Sequence, residues 1–229
     1  MNTLPSDQDI MIYVKSNASQ EMIERAVNRL NLPVTYTLPK ECRNNLFLQI
    51  ADNGISLSKN GCYLQGDFTK MYSRICPPRL NGELIIKAAK IKNASDEMTA
   101  IDATAGLGED AFLLAAYGFQ VTLYEQDPVI ALLLEDALLR ASKIPDLKSI
   151  VNRMTLCFAD STITMPRSTF SPDVVLLDPM FPKRKKSGLI KKKFQLLHCL
   201  EQPCQDEEAL LEAAMSCSPK RIRECRICA

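Results

Sequence analysis

From Thr99 onward the chain alternates apolar strand patterns with helical ones, and no other feature limits its fold so tightly. TAIDATAG reads as a buried strand running into glycine, and EDAFLLAAYG as a helix closed by Gly118. QVTLYEQ is a strand, and PVIALLLEDALLRAS a helix with proline in its first turn. MTLCFAD and SPDVVLLDP supply two further strands. Strands separated by helices return in the same direction, so the pattern predicts an α/β fold with a doubly wound parallel sheet.

The rest of the chain is organised around this unit. Residues 1–66 are expected to form a small α+β unit: the short strand-like pieces IMIYV, VTYTL, NLFLQIA, GISLSK and GCYLQG accompany one helix, SQEMIERAVNRLNL. In that helix Ile23, Ala26, Val27 and Leu30 share a face, while Ser19 and Met22 form no capping box. Residues 67–98 hold the Pro77-Pro78 break and the helix GELIIKAAKIK and read as a connector, leaving 99–229 as the main domain. A chain of 229 residues is long enough for this arrangement.

Charge and composition narrow the function. The formal net charge is only +1, so affinity for nucleic acid has to come from a local cluster, and KRKKSGLIKKK at 183–193 is that cluster. No apolar run approaches the roughly 20 residues that cross a bilayer. MNTLPSDQDI lacks the basic start and apolar middle of a secretion signal, so no membrane association and a cytoplasmic location are expected. The chain has nine cysteines. Cys42, Cys62, Cys76, Cys157, Cys199 and Cys204 are scattered through apolar segments and read as reduced thiols. Cys225 and Cys228 make one C-x-x-C without further ligands at zinc spacing, and His198 is the sole histidine, so no metal site is expected.

In a doubly wound sheet the ligand lies beyond the carboxyl ends of the strands. Here those ends are acidic: Asp102, Glu125, Asp160 and Asp178. Gly106, Gly108 and Ala111 fit G-x-G-x-x-A, with Glu125 about 20 residues on, as a dinucleotide site would require. The charges argue against a pyrophosphate, because Glu109 and Asp110 occupy the helix start where an anion would sit. They suit S-adenosyl-L-methionine, which carries an ammonium and a sulfonium. The glycines would let the backbone approach its methionine part, Glu125 would accept its ribose hydroxyls, and Asp160 its adenine amino group.

Asp178-Pro179-Met180-Phe181 would serve the methyl acceptor. An exocyclic amino nitrogen has its lone pair delocalised into the base, so its N–H groups must be held by acceptors that aim that pair at the methyl group. Asp178 and neighbouring carbonyls can do so, with the carboxylate meeting the positive charge that develops on nitrogen. Phe181 offers a face for an unstacked base. The basic strip Lys183, Arg184, Lys185, Lys186, Lys191, Lys192 and Lys193 then reads as a phosphate-binding surface rather than a merely solvated face.

IDATAGLGEDAF, LYEQDPVIALLLEDAL and VVLLDPMFPKRKKSGLIKKK together resemble the small-subunit ribosomal RNA (guanine-N2)-methyltransferase J family. The likeness runs from about Asp67 to Arg221, and residues 1–66 agree in the order of elements. It implies a Rossmann-like class I methyltransferase fold and methylation of a guanosine near the 3′ end of 16S ribosomal RNA, alone or in the small ribosomal subunit. It also implies S-adenosyl-L-methionine contacts at Glu109, Asp110, Glu125, Gln126, Asp160, Ser161 and Asp178. Glu109 and Gln126 stand where the family often has arginine. After ALLEAAMSCSPKRI, family members continue through a strand and a closing antiparallel pair, whereas this chain runs RECRICA. The expectation is therefore an incomplete sheet with a bare edge beside its fourth strand. Two other readings stay open at this point: an NAD-dependent oxidoreductase, on the glycine pattern, and an RNA-binding remnant without catalysis.

Overall fold

Two five-stranded sheets pack against a common helix. The computed structural model describes residues 10–38, 45–91, 97–178, 196, 200 and 206–224. The first sheet is built from β1 (Ile10–Val14), β2 (Val34–Thr35), β3 (Leu46–Ala51), β4 (Gly54–Lys59) and β5 (Cys62–Leu64), with α1 (Gln20–Arg29) crossing between β1 and β2. Its order is β2-β1-β3-β4-β5, parallel on the β1 side and antiparallel from β3 onward. The Ser19 hydroxyl accepts the Met22 N–H at 3.3 Å, a one-way cap without the reciprocal bond of a capping box.

The connector is a 3₁₀ turn, Phe68–Met71, followed by α2 (Tyr72–Ile75), α3 (Pro77–Leu80) and α4 (Leu84–Ala89). The second sheet follows. Its elements are β6 (Thr99–Asp102), α5 (Glu109–Tyr117), β7 (Gln120–Glu125), α6 (Pro128–Ser142), α7 (Pro145–Val151), β8 (Met154–Phe158), α8 (Ser161–Thr164), β9 (Val174–Leu177), α9 (Glu207–Ser216) and β10 (Arg221–Glu224). The order is β10-β9-β6-β7-β8 and every pairing is parallel, so the doubly wound expectation holds. The order reverses between β6 and β9, which makes their carboxyl ends the switch point where such sheets take ligands. Alternate residues serve opposite faces. Ala100, Val121, Leu123, Val174 and Leu176 pack with α4, α5 and α7, whereas Ile101, Tyr124, Val175 and Leu177 pack with α9.

Helix α6 is apolar around most of its circumference, a pattern that demands cover on more than one side. Val129, Ile130, Leu132 and Leu133 join the core of the first sheet, and Leu134, Ala137 and Ala141 the core of the second. Asp127 caps its start by accepting the Val129 and Ile130 N–H groups at 2.8 and 2.9 Å. Polar groups also cross the join, the most buried of them Asp136. Buried Asp136 accepts the Ile55 N–H at 3.0 Å and the Arg140 Nε–H at 2.8 Å, while Arg140 Nη2 donates to the Gly66 carbonyl.

Two expectations need correction. Residues 145–151 form α7, started by Pro145 and carrying buried Leu147, Ile150 and Val151, where no helix was foreseen. The edge beside the fourth strand of this sheet, β9, is not bare, because Arg221–Glu224 pairs along Val174–Leu177. Arginine chemistry holds that strand: Arg221 Nη1 donates to the Ala88 and Lys90 carbonyls at 3.1 and 2.6 Å, and Arg223 Nε to Ala88 at 2.7 Å, which caps the end of α4. Cys62, Cys76, Cys157 and Cys217 are free thiols. Cys42, His198, Cys199, Cys204, Cys225 and Cys228 lie outside the described residues. Among those described, no acidic, cysteine or histidine group has metal-site geometry, and no helix is long and apolar enough to cross a membrane.

Candidate active site

The glycine loop is pinned on both sides by continuation of the sheet ladder. Ala103 N–H donates to the Leu176 carbonyl of β9 and Ala105 N–H to the Tyr124 carbonyl of β7, each at 3.0 Å. Glu125, buried at the end of β7, accepts the Gly106 N–H on one carboxylate oxygen at 2.9 Å and the Asp127 N–H on the other at 2.8 Å. It therefore fixes the loop and the start of α6 together.

The two loop glycines have different reasons to be glycine. Both have left-handed φ, +55° at Gly106 and +73° at Gly108. A Cβ on Gly108 would stand 2.8 Å from Leu134 Cδ1, 3.3 Å from Leu123 Cδ2 and 3.6 Å from Phe68 Cζ. Gly108 is thus a packing glycine. Among the described residues a Cβ on Gly106 would meet nothing within 4 Å, so that side of the loop is clear of them and of the kind a bound molecule can fill.

Carboxylates converge on the loop. Asp102, at the end of β6, is 4% exposed, and its Oδ1 accepts the Thr104 N–H at 3.3 Å. Burial pushes its pKa up to about 7, with the charges of Asp110 and Asp178 adding to the rise and the Thr104 N–H opposing it. Asp178, on the exposed rim after β9, is raised to about 6 by partial desolvation and by Asp110. Its backbone N–H donates to Thr104 Oγ1 at 2.8 Å, which ties the end of β9 to the glycine loop. Asp110 acts on both, so these carboxylates share one electrostatic environment at the switch point. Such an environment favours a cation.

Glu109 and Asp110 form the first turn of α5, Glu109 exposed and Asp110 half-buried, and Gln126 is exposed after β7. Asp160 caps α8, its Oδ1 accepting the Thr162 N–H at 2.8 Å and the Thr162 hydroxyl at 2.6 Å, with buried Ser161 beside it. Asp102, Gly106, Gly108, Glu109, Asp110, Glu125, Gln126, Asp160, Ser161 and Asp178 all lie at or just beyond the carboxyl ends of β6, β7, β8 and β9. Pro179, Phe181, Lys183, Arg184, Lys185, Lys186, Lys191, Lys192 and Lys193 lie outside the described residues. Sequence reasoning missed Thr104 and Phe68. Thr104 sits inside the motif yet gives no separate signal, and Phe68 reaches Gly108 only through the tertiary fold.

A family model for SAM-dependent methyltransferases matches residues 31–224. The chain belongs to this family. S-adenosyl-L-methionine is accordingly its cofactor class, and the nicotinamide reading of the glycine pattern falls away. The methyltransferase is 35% identical over 217 residues to "Ribosomal RNA small subunit methyltransferase J" of Neisseria meningitidis, covering 93% of this chain and 84% of that one. It is 37% identical over 222 residues to the protein of the same name from Pseudomonas savastanoi, covering 93% and 80%. Among solved structures it is similar to a SAM-dependent methyltransferase from Neisseria gonorrhoeae, with TM-score 0.68 and 31% identity over 89% of this chain and 79% of that one.

Proposed function

We propose that this methyltransferase transfers a methyl group from S-adenosyl-L-methionine to the exocyclic N2 amino group of a guanine in 16S ribosomal RNA, free or within the small ribosomal subunit, in the cytoplasm. The observation that carries the cofactor half is the glycine loop, held by Glu125, open at Gly106 and surrounded by Asp102, Asp110 and Asp178. The RNA half is supported by the relatives named for small-subunit ribosomal RNA methylation, which match the chain over nearly its whole length.

When bound, S-adenosyl-L-methionine supplies an electrophilic methyl group on a sulfonium. In this reading Gly106 and Gly108 let the backbone approach the methionine part, and Glu109, Asp110 and Asp102 supply negative charge toward its cations. Glu125, at the end of β7, accepts from the ribose hydroxyls, and Asp160, Ser161 and Gln126 line the adenine end. Asp178, with Pro179, accepts the N–H groups of the guanine amine and orients its lone pair, and Phe181 stacks on the base. Lys183, Arg184, Lys185, Lys186, Lys191, Lys192 and Lys193 hold backbone phosphates, which position the RNA without reading its sequence.

The test is transfer of tritiated methyl groups to RNA and to small subunits from cells lacking the enzyme, followed by nucleoside analysis. Label in N2-methylguanosine is expected. No incorporation into either substrate, or label in another base, would sink the reading.

The loop glycines separate binding from folding. Gly106→Ala should weaken S-adenosyl-L-methionine binding by at least about tenfold, because the methyl group enters the open side, while the left-handed φ costs only about 1–2 kcal/mol of stability. Gly108→Ala carries the same φ cost plus a collision with Leu134, adding about 1–3 kcal/mol for overpacking. Isothermal titration and urea unfolding of both variants would read the difference.

Cofactor affinity should also depend on pH. Asp102 and Asp178 hold their protons more firmly in the folded protein than in the unfolded chain, so their negative charge is lost as pH falls through about 7 and about 6. Binding of the cationic cofactor should weaken by about tenfold between pH 7.5 and pH 5, the order of one charge interaction at moderate dielectric. The free protein responds in the opposite sense. The Asp102 contribution to stability is largest near pH 4, where the carboxyl is protonated, and falls as pH rises through about 7. Titrations across that range on wild type and Asp102→Asn would check this, with a flatter profile expected for the variant.

A further inference from the structure

The connector before β6 is built into the floor of the glycine loop. The Phe68 ring stacks on Phe112 of α5 with centroids 4.6 Å apart, and the same ring would touch a Cβ at Gly108 at 3.6 Å. Helix α2 follows within the next turn and packs against α5. Its Arg74 is oriented by Glu83: Nε and Nη2 each donate to one carboxylate oxygen at 2.8 Å, a bidentate pair along one edge of the guanidinium. The other edge, formed by Nη1 and the second Nη2 hydrogen, keeps its donors; the contact of Nη1 among the described residues is Met71 Sδ at 3.9 Å, a weak acceptor. Arg74 also lies near enough to Asp110 and Glu109 for their charges to act on it, after the larger effect of Glu83.

These facts answer a difficulty in the proposed site. The methionine end of the cofactor is a zwitterion, and the acidic first turn of α5 suits its ammonium and sulfonium but repels its carboxylate. That carboxylate needs a cation close to, yet distinct from, the acids. A guanidinium with one edge already fixed is suited to the task, because a second carboxylate can bond the free edge with little further loss of side-chain freedom. We propose that Arg74 binds the carboxylate of the methionine moiety of S-adenosyl-L-methionine, which makes the connector part of the cofactor site and Glu83 a positioning residue for it. The inference rests on the methyltransferase reading above.

The test compares S-adenosylhomocysteine with its decarboxylated analogue, which keeps the adenosine, the thioether and the ammonium. Wild-type protein should bind the carboxylate-bearing ligand about 10- to 100-fold more tightly, the range for hydrogen bonds to a charged group. In Arg74→Gln this preference should vanish through loss of S-adenosylhomocysteine affinity alone, with Arg74→Lys intermediate. Equal losses for the two ligands would mean that Arg74 only braces the fold and would overturn the proposal. So would a wild-type protein indifferent to the carboxylate, an outcome that needs no variant to fold. Wild-type protein that binds neither ligand would instead overturn the cofactor site itself.

Discussion

Asp178→Ala should lower the rate of methyl transfer by about 10³-fold while changing S-adenosyl-L-methionine affinity by no more than a few-fold. The size follows from its place. It is the residue after β9 at the switch point, held through its own N–H by Thr104 Oγ1, with its carboxyl on the rim where an acceptor base would arrive. A group that accepts the amine N–H and meets the charge developing on nitrogen acts mainly in the transition state, and loss of one such preorganised group costs about 10²- to 10³-fold in kcat. Asp178→Asn keeps an acceptor oxygen without the charge and should fall between wild type and alanine. Thr104→Val should cost about tenfold in kcat, because it removes the hydroxyl that holds the main chain of Asp178 and touches neither proposed substrate. In wild type the rate should rise with pH through about 6 as Asp178 ionises. Single-turnover transfer measured beside equilibrium cofactor binding separates these effects, and an alanine variant retaining a tenth of the wild-type rate would remove Asp178 from the chemistry.

How much of this was legible depends on whether the determining contact is periodic or tertiary. The parallel sheet could be read because TAIDATAG, QVTLYEQ, MTLCFAD and SPDVVLLDP repeat a buried pattern with helices between them, and strand ends are where acids stand out. The glycine loop could be read as a ligand cradle, but not the division of labour inside it. That Gly108 is filled by Leu134, Leu123 and Phe68 while Gly106 is open depends on residues from three other elements. Glu125 was legible as a carboxylate at the correct distance from the glycines. Its bonds to the Gly106 and Asp127 N–H groups were not, since they involve backbone. The β10 pairing was masked by composition: Arg221, Arg223 and Glu224 make a polar strand, and its arginines find partners on α4, more than a hundred residues earlier. Helix α6 was legible as a helix with proline in its first turn, whereas its second packing partner, the first sheet, shows only in the fold.

That second partner leads to the largest expected effect on stability. Asp136→Ala should destabilise the protein by about 3 kcal/mol, because it removes the buried partner of the partly exposed Arg140 and leaves the buried Ile55 N–H without its acceptor. Asp136 is 2% exposed, and one of its oxygens serves both the Arg140 guanidinium and the Ile55 N–H of β4. Its loss would leave a buried donor on a strand and a charged group whose remaining hydrogen-bond partner among the described residues is the Gly66 carbonyl. Asn at 136 can still accept from Ile55 and should cost less. Gly54→Ala tests the same joint from the opposite side. Gly54 has φ +114°, and a Cβ there would stand 2.5 Å from Arg140 Nε and 2.7 Å from Asp136 Oδ2, so the methyl group would displace the pair it faces. Because α6 also carries Leu134 beneath Gly108, disruption of this pair should reach the glycine loop, and saturating S-adenosyl-L-methionine should recover part of the lost stability. Urea unfolding of Asp136→Ala with and without the cofactor reads both effects. A loss below about 1 kcal/mol would show that the Asp136–Arg140 pair contributes little to joining the two sheets.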